Sequence, residues 1–218
     1  MAEKLAAIAS PVALWISELD EKHMSDKGGC LADVIDIELK RGKNFQNMAQ
    51  FVFCCHEVDS EAFPSGRKFE EFLNQQEELK QNMKKSIDAA LQQFARIASD
   101  PRLNSAFTEL KARVAPVEFV FIAVLLFLMD EASDKEQAYA VYHLREAIRD
   151  RFPDLRMRND VVELMWAYVK ALAQEPNNDL CRVAAKSNKR KRKPSSKLRK
   201  EDSDTDYKPT RSAKKSRT

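Results

Sequence analysis

The sequence predicts an all-α fold: an irregular multi-helix bundle around one central buried helix over residues 1–180, then a disordered basic tail over 181–218. Three observations carry this. Glycine is scarce, four in 218 residues, against a usual share of about 7%. The stretch from Ala115 to Ala132 is apolar from Val117 to Met129 except at Glu118. Elsewhere in the first 180 residues, apolar side chains recur at helical spacing, and beyond that the pattern fades.

The central run is apolar on every side, so periodicity alone does not choose between helix and strand. Length and punctuation do. Strands seldom exceed about 10 residues, whereas Pro116 suits the first turn of a helix, where its missing N–H costs nothing. A helix buried all round follows, packed by other helices. A membrane span needs about 20 apolar residues. The run is shorter, contains Glu118 and is closed by Asp130 and Glu131, so no membrane association is expected.

Residues 2–8 are good helix formers. Ser10-Pro11 reads as an N-cap followed by proline at the first helical position, and Val12, Trp15, Ile16 and Leu19 continue at helical spacing. His23 falls near that helix's end, where a cation suits the dipole. A loop over 25–29 precedes a short helix expected from Leu31 to Lys40, stopped by Gly42. Asn44 is placed to cap the next helix, whose face carries Phe45, Met48, Ala49, Val52 and Cys55 or His56; His56 is expected as a hydrogen-bonded core histidine.

Phe63-Pro-Ser-Gly66 breaks the chain before a short helix marked by Phe69, Phe72 and Leu73. A long stripe through 76–98 runs from Leu79 to Ile97, and the Lys84-Lys85 cluster reads as part of its solvated face. Asp100-Pro101 stops it, and Phe107, Leu110 and Val114 follow on a shorter helix. After the central helix, Ser133 with Glu136 forms a capping box. Ala138, Val141, Leu144, Ile148 and Phe152 line the next helix, ended by Pro153. Asp160 with Glu163 resembles a second box, opening a last stripe from Val161 to Leu172.

Charge is unevenly divided. Residues 186–218 hold 14 of the 37 Lys and Arg but 4 of the 34 Asp and Glu, a net of +10, which leaves the remainder at −7. Basic tails of this kind serve nucleic acid or transport receptors. The cationic residues are Lys189, Arg190, Lys191, Arg192 and Lys193, then Lys197, Arg199 and Lys200; nuclear import and non-specific phosphate contact are expected of them. Ser203 and Thr205 lie among acids just beyond, where phosphorylation would set negative charge beside the second cluster.

No catalytic constellation emerges. The three histidines are scattered, and no serine or cysteine has a base at recognisable spacing. No Gly-rich phosphate loop is present, so no nucleotide cofactor is expected. Cys54-Cys55-His56 has the look of a metal box, but neighbouring helical residues diverge by about 100° and no second cluster completes the ligands, so no metal is expected. The N-terminus has no long apolar core before a cleavage site, which points to a reducing compartment and small buried free thiols. Arg145, Arg149, Arg151, Arg156 and Arg158 alternate with Glu146, Asp150, Asp154 and Asp160, the pattern of local ion pairs. Glu118 either favours its helix N-terminus or pairs with Arg113 or Arg156.

Three blocks resemble the fungal branch of the GmrSD restriction endonuclease N-terminal domain family, also called domain of unknown function 262. They are Ala2-Glu-Lys-Leu-Ala-Ala-Ile-Ala-Ser-Pro11, then Lys40-Arg-Gly-Lys-Asn-Phe-Gln-Asn-Met-Ala49, then Ala115-Pro-Val-Glu118 with Leu144-Arg-Glu-Ala-Ile148 and Phe152-Pro-Asp-Leu-Arg-Met157. The likeness covers about residues 2–173 and corresponds to the helical region that follows the family's ParB-like catalytic-type fold. That fold carries an Asp-Gly-Gln-Gln-Arg-type motif, and this chain holds no Asp-Gly-x-x-Arg sequence, so no catalytic residue is carried over.

Three functions follow. The first is a non-catalytic, nuclear, helical protein whose tail meets nucleic acid and an import receptor. The second is a truncated piece of a ParB-like nuclease-family protein that needs a missing N-terminal domain. The third is a protein–protein adaptor, with Trp15 and Leu19 as the expected exposed apolar patch. A cytoplasmic location is the alternative to the nucleus.

Overall fold

The computed structural model describes residues 8–24, 31, 33–37, 43–110, 112–180 and 183. Among them run eight helices and no strand: α1 Pro11–Met24, α2 Lys43–His56, α3 Arg67–Asn74, α4 Gln81–Ser99, α5 Ser105–Thr108, α6 Pro116–Leu128, α7 Asp134–Arg151 and α8 Asn159–Gln174. The all-α bundle expected from the sequence is the fold found. The basic tail, Lys189–Arg192, Lys193, Lys197, Arg199, Lys200, Ser203 and Thr205 included, lies outside the described residues, as do residues 2–7.

α6 is the centre. Every residue from Val117 to Leu126 is at most 1% exposed, and α2, α4, α7 and α8 surround it. Such encirclement is what a run without a polar face requires in water. No described helix is long and apolar enough to cross a membrane. Ring contacts fill the spaces between helices: Phe121 meets Trp166 of α8 edge-on at 5.2 Å, and Phe94 of α4 meets Phe119 at 5.7 Å.

α1 packs outside α2 and against α3. Ser10 caps it as expected: its Oγ accepts the Ala13 N–H at 3.1 Å and donates to the Leu73 carbonyl, so one hydroxyl starts α1 and ties down the end of α3. The break at 63–66 is held from both sides. Gln50 Nε2 donates to the Pro64 carbonyl at 3.0 Å, and Trp166 Nε1 to the Ala62 carbonyl at 3.4 Å. Gly66 supplies the positive φ, +77°, that precedes α3. Ser133 and Glu136 form their reciprocal box at the start of α7.

Five local expectations are corrected. Residues 31 and 33–35 form turns and a bend, and 36–37 have no regular structure, instead of the predicted helix. Their backbone is drawn into tertiary bonds: the Leu31 N–H reaches the His23 carbonyl at 2.9 Å, and the Asp36 carbonyl takes the Val114 N–H at 2.8 Å. Asn44 lies inside the first turn of α2 and does not precede it. The helix expected to carry Phe107, Leu110 and Val114 stops at Thr108, with Val114 buried in extended chain. Asp160 does not cap α8: Arg158 is the N-cap residue without a side-chain bond, and Asp160 pairs with it at 3.0 Å. The stripe of α4 also begins later than its apolar pattern, at Gln81; Leu79 is buried from the preceding chain.

Candidate functional site

Helical spacing puts Trp15, Leu19 and Lys22 of α1 opposite Gln81, Lys84 and Lys85 of α4, and a groove of about 370 Å³ lies between them. Lys84 is the least expected member. Its side chain is 14% exposed, its Nζ sits 5.6 Å from the Trp15 ring centroid, and it pairs with Glu78 at 2.9 Å. The cation over the indole face and the aliphatic stem along the groove wall explain why it leaves water. Lys84 is therefore not part of a solvated face. Lys22 and Asp88 close one end of the groove, the ammonium bridging both carboxylate oxygens at 2.7 and 2.8 Å.

Behind Asp88 lies His23. The imidazole has no exposed surface, and its Nε2 is 2.7 Å from Asp88 Oδ1. Burial, the largest influence, pulls its pKa below the ordinary 6.5, against the hydrogen bond and charge of Asp88. The neutral ring then donates from Nε2. Burial pushes the Asp88 carboxyl up, but bonds from Lys22 and His23 outweigh it and hold the carboxyl below its ordinary value. Gln92 donates to the other oxygen at 2.8 Å. This His–Asp pair ties α1 to α4. The expectation of a helix-terminal cation at His23 is thus replaced by a neutral core residue.

His56 takes the opposite role. Its side chain is 38% exposed, 3.3 Å from Glu57 and in ring contact with Phe72. It is not the core histidine expected. Cys54 and Cys55 are buried free thiols, as expected, and burial raises both far above the ordinary thiol pKa. No group of three or more His, Cys, Asp or Glu that could hold a metal ion occurs among the described residues.

The arginine cluster divides. Arg156 pairs with Asp154 at 2.9 Å and Arg158 with Asp160, both local. Arg145 and Arg149 reach Glu118 instead, and Arg113 pairs with Asp36 at 2.7 Å. Neither partner expected for Glu118 is the one found. The adaptor patch is also not there: Leu19 is 4% exposed and Trp15 is part-buried beneath Lys84. Among the described residues the exposed large apolar side chains are Leu14 and Tyr139, on separate helices.

Sequence reasoning missed the groove because each of its lysines lies beside acidic or polar neighbours that look like solvated surface. The available signal was the helical register of Trp15 with Lys22 and of Lys84 with Asp88. Compared with models of known families, with curated proteins and with solved structures, the chain finds no match in any of the three.

Proposed function

We propose that this is a non-catalytic helical protein of the nucleus that associates with nucleic acid through its basic tail. The observation that carries the reading is the division of charge, +10 over residues 186–218 against −7 over the rest. Phosphate attracts the tail and repels the body, so the duplex is gripped from one end while the helical domain stands away from it. The binding is sequence-independent and salt-sensitive. Lys189–Lys193 serves as the import signal, and phosphorylation of Ser203 or Thr205 weakens the grip by adding negative charge beside Lys197, Arg199 and Lys200.

Kinship with the helical part of the GmrSD N-terminal domain family belongs to the same proposal and rests on the quoted blocks. An in-frame Asp-Gly-Gln-Gln-Arg-like stretch in the genomic sequence upstream would favour instead a piece of a ParB-like nuclease-family protein.

The direct test of import is a tandem fluorescent fusion too large to diffuse through the nuclear pore. It accumulates in the nucleus, and changing Lys189–Lys193 to alanine returns it to the cytoplasm. An intact-tail fusion that stays cytoplasmic overturns the import claim.

A further inference from the structure

The outer side of α7 carries rings and carboxylates close together. Tyr139 is 45% exposed, one of two large apolar side chains so placed among the described residues. Its ring lies edge-on to that of His143, 4.1 Å between centroids, and the His143 ring meets Tyr142 at 5.7 Å. Glu146 follows on the same side, 3.4 Å from His143 Nδ1. Glu109, just past α5, joins from across: the charge of Glu146 first, and that of Glu109 with it, pushes the Tyr142 pKa above its ordinary value. Glu109 is exposed, Glu146 keeps 42% of its side-chain surface in water, and neither pairs with a lysine or arginine among the described residues.

This face selects its occupant by charge. It repels phosphate, and an apolar segment laid on it would take two carboxylates out of water without a partner. A lysine or arginine suits both parts, its charge against the carboxylates and its cation over a tyrosine ring. The chain itself supplies such a segment. α7 and α8 pack together across the short connection 152–158, which makes them antiparallel. The end of α8 therefore lies beside the start of α7, the half that carries Tyr139. Leu180 is still buried, which ties the start of the tail to the body. From Val183, the run Lys189–Lys193 begins six residues on and ends ten residues on. At about 3.3–3.6 Å per residue it reaches roughly 20–36 Å, against a length of about 27 Å for α7.

We propose that the run Lys189–Lys193 docks on this face of its own chain, its cations over Tyr139 and Tyr142 and against Glu109 and Glu146, and that phosphate has to displace it. The displacement rests on the tail's reading as a nucleic-acid contact; the docking does not. A contact too weak to hold a separate peptide suffices, because the connecting chain sets an effective concentration of about millimolar. A duplex, with its denser line of charge, outcompetes two carboxylates.

The test compares tyrosine ring signals by NMR in the full chain and in a full chain whose Lys189, Arg190, Lys191, Arg192 and Lys193 are glutamine. The signals of Tyr139 and Tyr142 are expected to differ between the two, those of buried Tyr168 to coincide, and the difference to persist on tenfold dilution. Duplex affinity at one salt concentration is the second readout. Tyr139→Ser, an exposed change that alters no charge, frees the run and raises affinity about two- to fivefold, the worth of one exposed cation–ring contact. Tyr139 and Tyr142 signals indifferent to the five glutamines overturn the docking. So does a difference lost on dilution, which assigns the contact to a second copy. A Tyr139→Ser chain that binds duplex no more tightly overturns the displacement. Ring signals that respond in a chain with no affinity for duplex uphold the docking and remove the nucleic-acid reading of the tail instead.

Discussion

Arg145 lies beside Glu118 with neither side chain exposed, Nε 3.2 Å from Oε1, joining positions 27 residues apart in the chain. The carboxylate does three things at once. Oε2 accepts the Ala115 N–H at 2.7 Å, which starts the central helix, and both oxygens take Arg149, whose Nε is 2.7 Å from Oε1. Arg145 extends the network outward to the Ala106 and Ala112 carbonyls, the second at 2.9 Å, and its guanidinium lies 5.5 Å from the Phe107 ring. One ion pair therefore sets α6 against α7 and fixes the path of the chain leading into α6.

Removing one member of a buried pair leaves the other uncompensated, at a cost of about 3–5 kcal/mol. Glu118 keeps Arg149 when Arg145 is removed, so Arg145→Met is expected to lose about 3 kcal/mol, the low end of that range, in urea unfolding. Arg149→Met loses less, because Arg149 keeps 25% of its side-chain surface in water. The double change Glu118→Leu with Arg145→Met recovers part of the loss, since the one charge it strands, Arg149, keeps 25% of its side-chain surface in water. Equal losses for the two single arginine variants would place the network's centre elsewhere.

Asp20 is a liability at neutral pH. One of its oxygens is buried without a partner, and burial raises its pKa from 3.8 to about 6. A raised carboxyl contributes stability that is full below 3.8 and lost as pH climbs through about 6. Asp20→Asn should thus stabilise the chain near pH 7 by on the order of 1 kcal/mol, after discounting for partial exposure, and the gain should vanish near pH 4. Urea midpoints of both chains across that range check it; a gain independent of pH would point to something other than the charge.

His23 acts with the opposite sign. Its lowered pKa means that its contribution is full above 6.5 and lost as pH falls below that value. NMR titration should find the ring more than half neutral at pH 6.5, with the Nε2 proton on the side of Asp88. Asp88→Asn should lower the His23 pKa further, because the bond and charge of Asp88 are what raise it. A rise on that substitution would contradict the assignment.

The thiols of Cys54 and Cys55 should be inert in the folded chain. In a Cys30→Ser, Cys181→Ser background, a disulfide reagent should react with them only as fast as the protein opens, and rapidly in denaturant. Burst reactivity under native conditions would show that α2 is not buried as described.

Much of the fold was legible because periodicity and punctuation are local. The encirclement of Val117–Leu126, the Ser10 cap, the Ser133–Glu136 box and the buried cysteines each follow from a few neighbouring residues. What failed depended on where a side chain points across the bundle. His23 and His56 both sit near a helix's last turn, yet Asp88 of another helix receives one while the other faces water. Arg145 and Arg149 had acidic neighbours in sequence, but their register on α7 turns them toward Glu118. Residues 31 and 33–37 lost their predicted helix to backbone bonds with His23 and Val114, which no local pattern announces. The groove at Trp15 joins residues from two elements, so it leaves no contiguous motif.

The salt dependence of DNA binding tests the central claim most directly. Full-length protein is titrated with a random-sequence duplex at a series of salt concentrations, beside a chain in which Lys189–Lys193, Lys197, Arg199 and Lys200 are glutamine. If those eight cations engage phosphate, log K falls against log salt with a slope of about −4 to −7, and the substituted chain loses most of both slope and affinity. An affinity that ignores salt, or one the eight glutamines leave unchanged, contradicts tail-mediated association.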